Sequence, residues 1–203
     1  NPNHVDAHNN LGVILLQSGN LQKAKSCYEK TIEINPNHVD AHNNLGAVFK
    51  QLGEDQKAKS CYEKAIEINP NHVDAHNNLG NAFKALEEYQ KAKSCYEKAI
   101  EINPNHVKAH NNLGVVSLQT GNPQKAISSY QKAIEINPNY IDAHNNLGAA
   151  FKQLGELQKA KSCYEKTIEV NPNYAEAHNN LGAILQELRE DQKAKSCYEK
   201  AIE

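Results

Sequence analysis

The sequence repeats itself every 34 residues, and this period limits the possible folds more than any single residue does. A period between about 20 and 50 residues is typical of a supersecondary unit that stacks on copies of itself. The chain is therefore predicted to be an array of stacked units rather than a globule. The hexapeptide Ala-His-Asn-Asn-Leu-Gly marks the copies without insertion or deletion, and it begins at Ala7, Ala41, Ala75, Ala109, Ala143 and Ala177.

A longer motif recurs within each copy. In the copy that begins at Val39, it consists of Leu45, Gly46, Phe49, Gly53, Ala58, Tyr62, Ala65 and Pro70. These residues resemble the tetratricopeptide repeat family, and the likeness covers the whole chain. One departure is regular, because histidine (His42 in this copy) replaces the large aromatic residue of the first helix. In this respect the repeats look like bacterial ones and like those of O-linked N-acetylglucosamine transferase.

The resemblance implies an all-α fold, a right-handed superhelical α-solenoid of six helix-turn-helix repeats. Residues 1–203 would form a single array, in which residues 1–4 are the end of a preceding repeat. Two short helices cannot bury both apolar faces within one pair, so each pair must stack on the next. The six repeats are predicted at 5–38, 39–72, 73–106, 107–140, 141–174 and 175–203.

Local signals indicate where the helices of a repeat begin and end. Pro36 cannot continue the helix before it, and Asn37 is predicted to be the N-cap of the next helix. Gly53 suits the left-handed conformation that ends the first helix. Glu87 and Arg189 stand where other repeats have this glycine. The turns of repeats three and six are therefore expected to be altered or softer.

Two consecutive asparagines in each repeat are the main candidates for binding. The first file comprises Asn9, Asn43, Asn77, Asn111, Asn145 and Asn179. The second file comprises Asn10, Asn44, Asn78, Asn112, Asn146 and Asn180. The second file resembles the asparagine ladder of O-linked N-acetylglucosamine transferase repeats, which lines a concave groove and holds an extended peptide. A carboxamide both donates and accepts, so it can pair with a peptide backbone without reading side chains. Hydrogen bonding between adjacent helices is the alternative role of either file.

Lysines accompany the asparagines on the predicted inner face. Lys50, Lys84, Lys108 and Lys152 are expected there, where they would tune the choice of peptide side chains together with acids of the groove. A chaperone-type carboxylate clamp is not expected, because asparagine occupies its usual lysine position. A second series lies in the second helices, four residues before glutamates, and is predicted to be a solvated face. Its members are Lys25, Lys59, Lys93, Lys161 and Lys195.

Histidine pairs offer a weaker candidate site. His38 with His42, and His72 with His76, have the i, i+4 spacing that can chelate zinc or nickel on one helix face. The second histidine of each pair stands where the family buries an aromatic residue, and the sequence offers no third ligand. No metal site and no cofactor are therefore predicted.

Composition excludes several classes of function. A net charge of -2 gives no reason to expect nucleic acid or an acidic membrane as a partner. An enzyme is not predicted, because catalysis needs one asymmetric arrangement of groups and this chain repeats one neutral face. The five cysteines occupy one equivalent position of the repeat and are too far apart for disulfides. A cytoplasmic location is expected, and a signal sequence would lie outside this fragment.

The predicted function is that of a protein-interaction scaffold. Its partner would be a protein or peptide segment in extended conformation, held in the groove by the asparagine ladder. Two alternatives stay open. The first is a structural or self-assembling solenoid that uses its end faces and convex surface and associates end to end. The second is the substrate-recruiting arm of a larger transferase.

Overall fold

The computed structural model describes residues 2–203, which form twelve α-helices and no β-strand. The helices alternate between a first helix of each repeat, here called the A helix, and a second, called the B helix. The A helices are α1 (Val5–Gln17), α3 (Val39–Gln51), α5 (Val73–Ala85), α7 (Val107–Gln119), α9 (Ile141–Gln153) and α11 (Ala175–Glu187). The B helices are α2 (Leu21–Ile34), α4 (Asp55–Ile68), α6 (Tyr89–Ile102), α8 (Pro123–Ile136), α10 (Leu157–Val170) and α12 (Asp191–Ile202).

The chain divides into two compact halves of three helix pairs each. The N-terminal half ends at Pro104, and the C-terminal half begins at Asn105. Within each half, every A helix packs on its own B helix, and every B helix packs on the next A helix. This serial packing confirms the predicted all-α helical-repeat solenoid. The single array and the right-handed superhelix stay predictions.

The A helices of neighbouring repeats also contact each other directly. In the N-terminal half α1 contacts α3 and α3 contacts α5, whereas α2, α4 and α6 lie farther apart. In the C-terminal half α7 contacts α9. Each half therefore has one surface built from adjacent A helices, called the A-helix face below.

Close packing within a repeat depends on a glycine opposite a tyrosine. In repeat two, a Cβ atom added to Gly46 would lie 2.5 Å from Cε1 of Tyr62. The tyrosine is 1% exposed, and its neighbours Ala58 and Ala65 are fully buried. The small residue in the A helix and the flat ring in the B helix therefore fit together. The same pair recurs in the other repeats.

The N-cap residue of an A helix lies one residue later in the chain than the sequence predicts. His38, rather than Asn37, is the N-cap of α3, and its Nδ1 accepts a hydrogen bond of 3.1 Å from the backbone N–H of Ala41. The preceding residues form a separate turn, because Asn35 Oδ1 accepts from the backbone N–H of Asn37. The capping prediction for Asn37 was therefore wrong. Histidine fills the role that a shorter polar side chain usually has.

The turns that lack glycine keep the ordinary conformation, which contradicts the expectation of altered turns. Glu87 and Arg189 have φ angles of 60° and 62°, against 73–75° for the turn glycines. In repeat three the N–H of Glu88 bonds to the carbonyl of Phe83 at 2.8 Å, and repeat two has the equivalent bond at 2.9 Å. The surrounding helices thus hold a non-glycine residue in the left-handed region, at a local cost of about 1–2 kcal/mol.

Replacing Glu87 with glycine is therefore expected to raise the free energy of unfolding by about 0.5–1 kcal/mol, since relief of the strain exceeds the added chain entropy. Chemical denaturation followed by circular dichroism measures this change. The reverse substitution, Gly53→Glu, is the matched control and should lower stability by a similar amount. No atom lies within 4 Å of the added Cβ, so backbone strain is the main effect of the change. A neutral or destabilising Glu87→Gly would contradict the strain argument.

The lysines of the B helices are less solvated than predicted. Lys25 and Lys59 do pair with the glutamates four residues on, at 3.6 and 3.7 Å. Each also lies over a phenylalanine ring of the next A helix, with Lys59 Nζ 5.2 Å from the ring centroid of Phe83. Lys161 instead pairs with Glu190 of the next repeat at 2.8 Å. Lys25, Lys59 and Lys161 therefore help to join repeats through cation–π contacts and an ion pair, whereas Lys195 is exposed.

All five cysteines have free thiols and are half-buried. Burial, with a smaller contribution from Glu29, raises the pKa of the Cys61 thiol to about 11, so this thiol is unreactive at neutral pH. None of the helices between residues 2 and 203 has both the length and the apolar character needed to cross a bilayer.

Candidate interaction surface

The two asparagine files differ in burial, although the sequence gives them the same residue type. Asn43, Asn77, Asn111 and Asn145 of the first file are 9, 4, 5 and 3% exposed. Their neighbours in the second file, Asn44, Asn78, Asn112 and Asn146, are half-buried, and Asn10 is exposed. The first file therefore lies between the A helices, and the second file lies on the A-helix face.

Hydrogen bonds between the files connect successive repeats. Asn78 donates through Nδ2 to Oδ1 of Asn43 at 3.0 Å, and Asn146 donates to Asn111 at the same distance. Asn180 donates to Asn145 at 3.3 Å. Asn43, Asn111 and Asn145 thus accept from the surface asparagine of the following repeat. A buried amide is costly unless it is paired in this way.

In the N-terminal half these bonds form a chain with one direction. Asn77 donates to Asn78, Asn78 to Asn43, and Asn43 to Asn44, the first and last of these at 3.4 Å. The chain ends at Asn44, because Oδ1 of Asn9 is buried and has no partner among the described residues. Each surface asparagine keeps a second N–H and an acceptor lone pair that these bonds do not use.

The two edges of the A-helix face differ in charge. At the N-terminal edge of α3, Asp40 Oδ1 lies 3.1 Å from Nε2 of His72 in the next repeat. At the C-terminal edge lie Lys50, which is exposed, and Lys84, which is half-buried. Burial, and then the charge of Lys50, lower the pKa of Lys84. The face therefore has an acidic edge that is already paired and a basic edge.

The other two predicted lysines lie in the C-terminal half. Lys152 is exposed and forms an ion pair of 3.6 Å with Glu187 of the next A helix. Lys108 is exposed in the first turn of α7, at the position where other repeats have an acidic residue. The four lysines therefore have different surroundings, which their sequence positions did not predict.

The histidine pairs do not have the geometry of a metal chelate. His38 is a cap outside α3, so His38 and His42 do not share a helix face as the spacing argument assumed. Nδ1 of His38 bonds to the backbone of its own helix, and Nε2 of His42 lies 2.9 Å from the carbonyl oxygen of Pro36. His72 and His76 repeat this arrangement. Over residues 2–203, no three His, Cys, Asp or Glu side chains are grouped to hold a metal ion.

Two tyrosine hydroxyls of the B helices donate hydrogen bonds to side chains of the A helices, and these bonds were not predicted from the sequence. Tyr96 donates to Oδ1 of Asn81 at 2.8 Å, and Tyr198 donates to Oε1 of Gln186 at 3.3 Å. Burial raises the pKa of Tyr96 well above its ordinary value. The available signal was Asn81 itself, since the other repeats have valine or alanine at this position.

The comparison with protein families agrees with this architecture. A family model for the C-terminal tetratricopeptide-repeat domain of cilia and flagella-associated protein 70 matches residues 3–203. The chain belongs to the tetratricopeptide repeat family. Membership implies a protein-interaction scaffold, and it accounts for the glycine–tyrosine packing that each tetratricopeptide repeat of the chain contains. The comparison with curated proteins gives no match.

Solved structures of tetratricopeptide repeat proteins are similar to the chain over most of its length. PilF of Pseudomonas aeruginosa is 26% identical, with a TM-score of 0.86 over 95% of this chain and 88% of that one. YrrB, described as having an unusual peptide-binding site, is 27% identical, with a TM-score of 0.66 over 86% of this chain and 90% of that one. A thermophilic protein of Thermus thermophilus is 21% identical and shares the fold, with a TM-score of 0.76 over 90% of this chain and 99% of that one.

Proposed function

We propose that the A-helix face of each half binds an extended peptide through its surface asparagines, which are Asn10, Asn44 and Asn78 in the N-terminal half and Asn112, Asn146 and Asn180 in the C-terminal half. The supporting observation is that Asn44 and Asn78 are half-buried and keep donors and acceptors beyond those used between repeats. An extended peptide presents alternating N–H and C=O groups to which such amides are complementary. The peptide-binding site described for the similar protein YrrB adds support.

The buried asparagines have a supporting role in this proposal. Asn43, Asn111 and Asn145 hold surface asparagines in place through the bonds between repeats. A side chain fixed in this way loses little conformational entropy when a ligand binds, so more of the interaction energy contributes to affinity. For a short peptide we expect a dissociation constant on the order of micromolar, since the ligand itself must still be ordered.

The test compares the wild-type protein with the variant Asn44→Ala/Asn78→Ala/Asn112→Ala/Asn146→Ala in selections from a random peptide library. Peptides selected by the wild type are expected to bind the variant at least about tenfold more weakly, because several backbone hydrogen bonds are lost. Affinities are measured by fluorescence anisotropy, and circular dichroism shows whether both proteins remain folded.

The matched control carries the same number of asparagine-to-alanine changes away from the A-helix face. These changes are Asn37→Ala, Asn71→Ala, Asn139→Ala and Asn173→Ala, at exposed turn positions whose structural hydrogen bonds involve only the backbone. The control variant should bind like the wild type. Absence of peptide binding by the wild type, or equal losses in both variants, would argue against the proposal.

A second candidate function is end-to-end self-association, which exposed apolar residues favour. Leu11 and Ile14 of α1 are 49 and 62% exposed, whereas the equivalent Leu45 and Val48 are 7 and 0% exposed. Ile202 in α12 is also exposed. A second copy could cover these residues as neighbouring repeats cover their equivalents. Sedimentation that shows only monomers at high concentration would exclude this candidate.

A further inference from the structure

The basic edge of the A-helix face in the N-terminal half is not neutralised by the protein. Lys50 and Lys84 stand at the same position in the last turns of α3 and α5, which contact each other. Neither lysine side chain forms a hydrogen bond or ion pair with any residue in the range 2–203. The carbonyl ends of the helices favour a cation in the last turn. That effect explains each lysine separately but not the placement of a half-buried lysine beside a second one.

One lysine equivalent to this pair and one lysine on a nearby B helix do have partners. Lys152, at the same position in α9, pairs with Glu187 at 3.6 Å. In the repeats that follow Lys50 and Lys84, the residues that correspond to Glu187 are Ala85 and Gln119, which carry no charge. On the B helices of the same half, Lys64 pairs with Glu67 at 2.9 Å. Lys50 and Lys84 thus differ from Lys152, their equivalent in α9, in having no acidic partner.

The aspartates of the opposite edge contact histidines of the protein itself. Asp40 contacts His72 at 3.1 Å, and Asp6 lies 4.0 Å from His38. Asp40 and Lys50 are ten residues apart on one helix, or about 15 Å along its axis. A ligand on the face therefore meets aspartates that already contact histidines on one side and two cations without a protein partner on the other. This asymmetry favours a ligand with an anionic group at the lysine edge.

We propose that Lys50 and Lys84 together bind the carboxylate of an aspartate or glutamate side chain in the peptide that Asn44 and Asn78 hold by its backbone. This inference rests on the proposed peptide-binding function and adds the chemistry of the partner. Lys50 follows Asn44 by six residues, or about 9 Å along the helix. The flexible stem of lysine and the side chain of a glutamate span this distance from opposite sides. The carboxylate accepts charge-assisted hydrogen bonds from both ammonium groups and relieves their mutual repulsion.

The test uses the peptides that the wild-type protein selects from a random library. We expect aspartate or glutamate to be enriched at one position of these peptides. Changing that residue to the isosteric asparagine or glutamine should weaken binding about tenfold or more. The variant Lys50→Gln/Lys84→Gln should bind the acidic peptide as weakly as the wild type binds the amide peptide, and it should bind both peptides equally. The difference should shrink as salt is added.

A charge-matched variant separates this site from general attraction between a basic protein surface and an acidic peptide. Lys64→Gln/Lys98→Gln removes the same charge from equivalent positions of α4 and α6. It should leave the preference for the acidic peptide unchanged. Circular dichroism shows whether each variant keeps its helical content.

The possible failures can be told apart. If the wild type selects no binding peptide, both the proposed function and this inference are overturned. If peptides bind and depend on the surface asparagines but show no preference for an acidic residue, only the lysine proposal is overturned. The same conclusion follows if Lys64→Gln/Lys98→Gln reduces the preference as much as Lys50→Gln/Lys84→Gln does.

Discussion

Replacing Tyr62 with alanine is expected to lower the free energy of unfolding by about 3–5 kcal/mol. The ring is 1% exposed and lies against the backbone of Gly46, where α3 and α4 pack within one repeat. Its removal leaves a cavity that the two helices cannot close, because each is also packed against a neighbouring repeat. Chemical denaturation followed by circular dichroism measures the loss, and hydrogen exchange should show it first in α3 and α4.

Tyr62→Phe is the control for this prediction. It keeps the ring, and the hydroxyl of Tyr62 makes no hydrogen bond with residues 2–203, so the expected change is less than about 1 kcal/mol. If Tyr62→Ala were no more destabilising than Tyr62→Phe, the ring would not be the main contact between α3 and α4.

Replacing Gly46 with alanine is the second large change, with an expected loss of about 1–3 kcal/mol. Alanine ordinarily stabilises a helix relative to glycine by about 1 kcal/mol, so a loss would reverse the sign of the helix propensity. The cause is the new methyl group, which would lie 2.5 Å from Cε1 and 2.8 Å from Cδ1 of Tyr62. The helices must separate or the ring must tilt. Denaturation curves of the single variants and the double variants give the coupling between the two positions.

The decisive comparison measures the effect of Gly46→Ala in two variants that differ at residue 62. In Tyr62→Phe the ring and the clash remain, so the loss should persist. In Tyr62→Leu the flat ring is gone, and the Gly46→Ala change should become neutral or stabilising. An equal loss in both backgrounds would mean that the methyl group meets something other than the ring, and the close approach of α3 and α4 would need another explanation.

Much of this fold could be predicted from the repeat alone. The period defined the number of helix pairs, and the two apolar faces of a short helix pair required each pair to stack on the next. These predictions succeeded because each repeat is a local unit whose packing recurs identically. Errors occurred where two residues compete for one role. Asn37 is the better cap by type, but the side chain of Asn35 closes a turn there and leaves the cap to His38.

The candidate site was harder to predict than the fold. Asn43 and Asn44 are adjacent and chemically identical, and only the packing of α3 against its neighbours makes one an internal acceptor and the other a surface group. The lysines show the same limit. Lys84 and Lys152 occupy equivalent positions, but only Lys152 has an acidic partner, because Glu187 lies one repeat further along the chain. A periodic sequence thus predicts what recurs better than it predicts where neighbouring copies differ.

The hydrogen bonds between asparagine side chains of successive repeats also bear on how the number of repeats can increase during evolution. The copy at residues 141–174 brings a surface asparagine, Asn146, that donates to the copy before it and a buried asparagine, Asn145, that accepts from the copy after it. A duplicate of this segment would therefore arrive with both of the contacts that its new neighbours require. Gene duplication could lengthen the protein one repeat at a time without any compensating mutation at the junction.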